Sequence, residues 1–257
     1  MRMSWLSLAA SSMLSSITAS AAPDLQLKGT LYKLGSNRQE RLYTWEMKAC
    51  SDVWTSNYYR LDGTLVVEDS TQFDGKRISE YSYVRHNIGE RSRVKVTGKQ
   101  LRFDYKLAHK TKSETRNTSD VFLTGPAVFA FIQEHLKELQ EGKDFEFKYG
   151  ILDRLDYFTF KLSSESKPGS ESSRTKIRAT SLFVRMAIDP IYVTLSKEGK
   201  FRGIAGRTIV MEKDGQKLIP IDADLVVESE APALGGHPKP ATDGQLKTGH
   251  QIRRPRR

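Results

Sequence analysis

The sequence predicts a mainly β fold: a large curved antiparallel sheet or half-barrel, laid out as a meander, with one main amphipathic helix packed on it. Three observations carry that reading. Hydrophobicity alternates with period two along most of the chain, glycine-centred turns join the alternating runs, and one segment has apolar spacing near 3.6 residues. The stretch "DPIYVTLSKEGKFRGIAGRTIVMEKDGQKLIPIDADLVVE", residues 189–228, shows the texture as strand, tight turn, strand, tight turn, strand. Successive tight turns make a meander rather than parallel βαβ units.

At the start, "MRMSWLSLAASSMLSSITASAAP" places Arg2 before an apolar, small-residue run that ends in Ala19-Ser20-Ala21. This is the pattern of a secretory signal peptide over residues 1–22, cleaved near Ala21 or Ala22, and it predicts a periplasmic protein. Six serines and a threonine between Trp5 and Ala22 make the stretch a poor membrane span. Residues 23–228 then read as one antiparallel β domain, long enough to bury a core. The single cysteine, Cys50, leaves no partner for an intrachain disulfide, so stability is expected to come from sheet packing.

Strands follow in order. In "RLYTWEMK", Tyr43, Trp45 and Met47 share one face, and in "QLRFDYKL" the residues Leu101, Phe103, Tyr105 and Leu107 alternate with charged neighbours. "SRVKVTGKQLRFDY" supplies a Gly-Lys hairpin link, and "KEGK" and "KDGQ" supply two more turns. The break in the pattern is "LTGPAVFAFIQEHLKELQEGKD", with Val128, Phe129, Ile132, Leu136 and Leu139 on one helical stripe. Thr124 is the expected cap, Pro126 suits the first turn and Gly142 the stop, giving a helix near 125–141 that covers the sheet. Phe131 lies off the stripe, which suggests two buried sides.

After the helix, "KDFEFKYGILDRLDYFTFKL" puts Phe145, Phe147 and Tyr149 on one strand and Phe158 and Phe160 on the next. Facing aromatics of this kind either line an apolar cavity or fill a core. With Trp45 and Phe103 they form the candidate ligand-binding set. "SSESKPGSESSR", residues 163–174, reads as a flexible loop or lid. The arginine-flanked glycines of "RGIAGR", residues 202–207, could be read as a phosphate-contacting loop, but clamping loops of that type join helices, whereas these lie inside a strand pattern and mark a bulge or sharp coiling of the sheet.

Charge and motifs exclude more than they select. Of the formal net charge of +10, Arg2 contributes +1 and residues 229–257 contribute +4, leaving +5 for residues 23–228. Export and this dispersed balance argue against nucleic acid. The tail, residues 229–257, is rich in Pro and Gly and is expected to be disordered; its "RRPRR" end could touch anionic envelope surfaces. The five histidines show no metal-ligand spacing, and His135 with Glu138 supplies only one helix's share of a carboxylate-bridged site, so neither metal nor cofactor is expected. No nucleophile motif or phosphate loop occurs. Asp153, Asp156 and Glu134 are the carboxylates a glycan or ester hydrolase would have to use, and no catalytic residue is assigned.

Signal peptide, meander, one covering helix and "DPIYVTLSKEGKFRGIAG" followed by "DADLVVE" together resemble an uncharacterised class of exported bacterial proteins, domains of unknown function. The pattern is also distantly similar to the LolA/LolB-like lipoprotein-carrier superfamily. That resemblance implies a curved sheet around an apolar cavity that shields lipid or lipoprotein acyl chains, with the aromatics as wall and the helix or residues 163–174 as lid. The expected function is therefore non-catalytic: binding or carrying an apolar, lipid-like envelope ligand. Strand addition of an envelope protein at a sheet edge is the alternative.

Overall fold

The computed structural model describes residues 25–166 and 170–232. The expected signal peptide, the expected tail beyond residue 232 and the tip of the expected 163–174 loop lie outside the described residues. Eight strands follow one another: β1 (Leu25–Lys33), β2 (Arg41–Cys50), β3 (Val53–Arg60), β4 (Leu65–Asp74), β5 (Arg77–Arg85), β6 (Glu90–Thr97), β7 (Gln100–Leu107) and β8 (Lys110–Asn117). A short β9 (Phe122–Leu123) leads into helices α1 (Ala127–Glu134) and α2 (Leu136–Gln140). The second run is β10 (Phe145–Ile151), β11 (Asp156–Ser164), β12 (Ser172–Ala179), helix α3 (Leu182–Ala187), β13 (Ile191–Ser196), β14 (Phe201–Asp214) and β15 (Lys217–Pro232).

These strands make one sheet of 15, ordered β8-β7-β6-β5-β4-β3-β2-β1-β15-β14-β13-β12-β11-β10-β9. The predicted antiparallel meander is present, and only β9 with β10 is parallel. The expected turns at Gly98, Gly199 and Gly215 all carry positive φ. The outermost strands β8 and β9 are consecutive in the chain. Residues 118–121 between them can span only about 14 Å, so the sheet must curl until its two edges approach. Tyr157 Oη donates to the Asn117 carbonyl at 2.9 Å, and the Phe103 and Phe122 rings meet edge to face, which ties the edges together. At the seam β1 pairs with β15 from Leu25↔Pro232 to Lys33↔Ala223, so the last strand runs past residue 228 into the expected tail.

Both ends of the curled wall are covered. At one end α1 buries Ala127, Val128 and Ile132, stacks Phe129 on Phe201 and sets Phe131 against Phe145. Lys76 Nζ to Glu134 (2.6 Å) and Gln133 Nε2 to the Gly199 carbonyl (3.0 Å) fasten it to two turns. At the other end the β14 bulge between Arg207 and Met211 leans over the interior, where Arg85 Nε donates to the Ile209 carbonyl and Asn87 Nδ2 to that of Met211.

The single long helix of the sequence reading is two short ones, broken at His135 (φ −102°, ψ 14°). The expected Thr124 cap is also absent: α1 starts behind Pro126 with no side-chain cap, and Thr124 Oγ1 donates to the Gly150 carbonyl instead. The cause is Gly125, at φ +53° beneath the Tyr81 ring, where any Cβ would sit 2.3 Å from a ring carbon. It turns the chain inward before the helix begins.

Candidate functional site

The seven aromatics singled out from sequence all face the interior. Phe147 pairs with Phe160 and Tyr149 with Phe158 across β10 and β11, with ring centroids 6.2 Å apart for Phe147–Phe160 and 5.5 Å for Tyr149–Phe160. Trp45, Phe103, Phe147 and Phe160 are each at most 4% exposed. Phe145, Tyr149 and Phe158 are half-buried, and Phe145 is sandwiched by Phe131 and His135 of the helices. Trp45 of β2 meets Phe201 of β14 at 6.0 Å, across β1 and β15. The set forms part of one continuous hydrophobic core with α1, so a ligand reaching it would have to displace that helix.

Polar groups share this interior. Asp69 on β4 is 6% exposed, opposite Ser56 of β3, and faces the phenols of Tyr58, Tyr81 and Tyr149. Burial pushes its carboxyl up to about 7, with the Ser56 hydroxyl and N–H only partly offsetting that. Among the described residues, Asp69 Oδ1 and Thr71 Oγ1 have no hydrogen-bond partner. Nearer the β14 end, Arg85 Nη1 grips both oxygens of Glu90 at 3.0 and 2.9 Å, and Tyr83 Oη donates to the same carboxylate at 2.8 Å.

A groove of 780 Å³ lies on the other, outer face of β12, β13, β14 and β15. Its origin is a lack of side chains. Gly203 and Ala205 point outward from β14, paired with Thr194 and Tyr192 on one side and with Val226 and Asp224 on the other. Gly203 is required there, because a Cβ would meet the Leu225 carbonyl oxygen at 2.2 Å. The register shift between Thr194 and Leu195 throws Arg202 out to the rim. The β1–β2 loop, with Leu34, Asn37 and Arg38, supplies the far wall.

The groove's electrostatics are uneven. Lys33 pairs with Glu40 at 3.0 Å and Arg38 with Asp224 at 2.8 Å. Arg174 lies over the Tyr192 ring, its Cζ 4.1 Å from the centroid, and among the described residues it has no carboxylate partner. Arg202 has none either; it acts on Glu198 only at longer range, where the Ser196 hydroxyl chiefly holds that carboxyl down. Two arginines are thus free to take an anion above an apolar floor. Sequence reasoning weighed the arginine-flanked glycines of residues 202–207 as a phosphate-contacting loop and favoured a structural role for them; it did not assemble the groove around them. The available signal was a pair of small residues, Gly203 and Ala205, in alternation beside Arg202.

The carboxylates considered for catalysis are engaged elsewhere. Asp153 is exposed in the turn Leu152–Arg154, and Asp156 accepts the Tyr157 N–H and lies 3.4 Å from Arg116. Glu134 belongs to the Lys76 pair, and His135 Nδ1 to Glu138 at 2.6 Å. Among the described residues no three His, Cys, Asp or Glu side chains are placed to hold a metal ion.

The fold and groove define a mainly β protein, one large and mostly antiparallel sheet with a concave outer site. No family model matches the sequence, and no curated protein matches it. Among solved structures, the chain is similar to a beta-barrel-like protein of the domain of unknown function DUF1849 from Brucella abortus. That similarity has a TM-score of 0.44 at 8% identity and covers 81% of this chain and 97% of the other.

Proposed function

We propose that this chain is an exported, non-catalytic envelope module that binds an anionic amphiphile, a lipid-like molecule with an acidic head, in the outer groove. The observation that carries the reading is the pairing of Arg174 and Arg202, which have no carboxylate partner among the described residues, with a trough floored by Gly203 and Ala205 and walled by Tyr192 and Val226. The volume of 780 Å³ falls within the usual span of small-molecule sites. Among the described residues, Asp224 is the one carboxylate on its wall and is held by Arg38, and neither imidazole nor thiol lines it, which favours binding over turnover. The ligand class matches that of LolA/LolB-like carriers, but the site differs: an external groove in place of an internal cavity. Strand addition finds a poor host in β8, whose exposed Lys110, Lys112 and Glu114 and half-buried Arg116 are the kind of residues that blunt edges.

The test is titration with dansylated undecanoate, followed by fluorescence. Ala205→Phe fills the trough without altering charge, and Arg174→Glu with Arg202→Glu reverses the rim. Each is expected to weaken binding at least about tenfold, equivalent to about 1.4 kcal/mol. Folded variants that bind as well as the unmodified chain, or an unmodified chain that binds no probe, would sink the reading.

A further inference from the structure

Helix α3 exposes three large apolar side chains at once: Leu182 at 61%, Phe183 at 85% and Met186 at 81%. The other exposed large hydrophobics among the described residues stand singly: Leu34, Leu61 and Val121 in separate loops and Ile219 on β15. Spacings of one, three and four residues put the three on one side of the helix. Val184 faces the other way and packs against the core, and the Arg185 N–H donates to the Ser181 carbonyl, so the helix is anchored with its apolar side outward. At about 9 Å long, it is a blunt finger rather than a helix that could lie along an interface.

Its surroundings are cationic. Exposed Arg178 at the end of β12 and half-buried Arg185 on the helix, whose Nε lies inside, have no carboxylate partner among the described residues, and Asp189 is the one acid in the connection to β13. Strand pairing also places the finger relative to the groove. Lys33, where the groove-wall loop leaves β1, pairs with Ala223; Ala223 pairs with Gly206; and Gly206 lies against Pro190 and Ile191, just after α3. Loop and finger therefore leave the same end of the sheet, three strands or about 14 Å apart.

We infer that α3 docks the protein on an anionic lipid bilayer. Leu182, Phe183 and Met186 enter the headgroup and acyl boundary, and Arg178 and Arg185 meet the phosphates. The groove's Leu34 end then faces the same membrane from which an amphiphile would be drawn. The inference deepens the groove reading and rests on it only for the origin of the ligand.

The experiment is co-sedimentation of the processed chain with vesicles of phosphatidylglycerol and phosphatidylcholine, against vesicles of phosphatidylcholine alone. Phe183→Glu with Met186→Glu, both at solvent-exposed positions, is expected to lower partition onto the anionic vesicles at least tenfold. Any contribution from the basic tail is common to both proteins and cancels. Phe183→Trp should shift its emission to the blue on these vesicles and be quenched by brominated acyl chains. Equal partition of the double variant and the unmodified chain overturns the inference, as does a tryptophan that stays in water. Sedimentation velocity showing that the double variant only dissolves a dimer, with vesicle binding intact, also overturns it and assigns the face to a second copy of this chain. The double variant is expected to keep its affinity for dansylated undecanoate in solution. Vesicle partition is read without that probe, so a groove that binds nothing sinks the groove reading and leaves this result standing.

Discussion

Replacing Glu90 with alanine should lower the unfolding free energy by about 3–5 kcal/mol, the cost of stripping one partner from a buried ion pair. Glu90 is 1% exposed, and the Arg85 side chain is 9% exposed. Arg85 bonds both carboxylate oxygens, and its Nε also bonds the Ile209 carbonyl, so the pair fastens β5 and β6 to the bulge in β14. Without the carboxylate, a guanidinium is left in the interior, and Tyr83 loses its acceptor. A surface pair such as Lys33 with Glu40, both more than half exposed, is worth at most about 1 kcal/mol by contrast. Urea unfolding checks this. A loss under about 1 kcal/mol would mean that Arg85 swings out to water. Replacing both partners with apolar residues, Arg85→Met with Glu90→Leu, should recover most of the loss.

The second large effect is a pH dependence centred on Asp69. Its carboxyl titrates near 7 when folded, against an ordinary aspartate value of 3.8. Below 3.8 both folded and unfolded chains hold the proton, and the group contributes nothing. Between 3.8 and 7 the unfolded chain releases the proton while the folded chain keeps it. The folded state binds more protons there, so stability falls as pH rises, by up to about 4 kcal/mol in all, and levels off above 7. The facing groups are the phenols of Tyr58, Tyr81 and Tyr149, and burial holds all three above their ordinary range, so none supplies a compensating charge at neutral pH. Asp69→Asn should match the parent chain near pH 4 and exceed it progressively towards pH 8. Urea midpoints at pH 4, 6 and 8 measure the gap, and a gap that does not change with pH would refute the assignment.

Local pattern made the strands legible. Tyr43, Trp45 and Met47 alternate into the core as period two requires, and the glycines at 98, 199 and 215 turn where the sequence put them. Where tertiary contacts set the outcome, local pattern failed. Thr124 is a good cap by residue type, but the Tyr81 ring over Gly125 pulls it onto β10, and the apolar stripe through Leu139 continues past a break at His135 that no stripe reveals. The aromatic faces were legible as faces; how far α1 covers them was not, because that depends on Phe129 reaching Phe201 in a distant strand. The groove was hidden for a related reason. Its walls come from four strands and a loop spread from Lys33 to Val227, and its floor is defined by side chains that are missing.

The seam between β1 and β15 has a temporal meaning. Residues 25 and 232 are neighbours in the sheet, so the halves on either side of the seam are each short-range meanders, while the join between them closes a loop of nearly the whole domain. A chain synthesised N-terminus first presents β1 with β2 on one flank and an open hydrogen-bonding edge on the other. That edge stays open until β15, the last strand among the described residues, arrives to fill it.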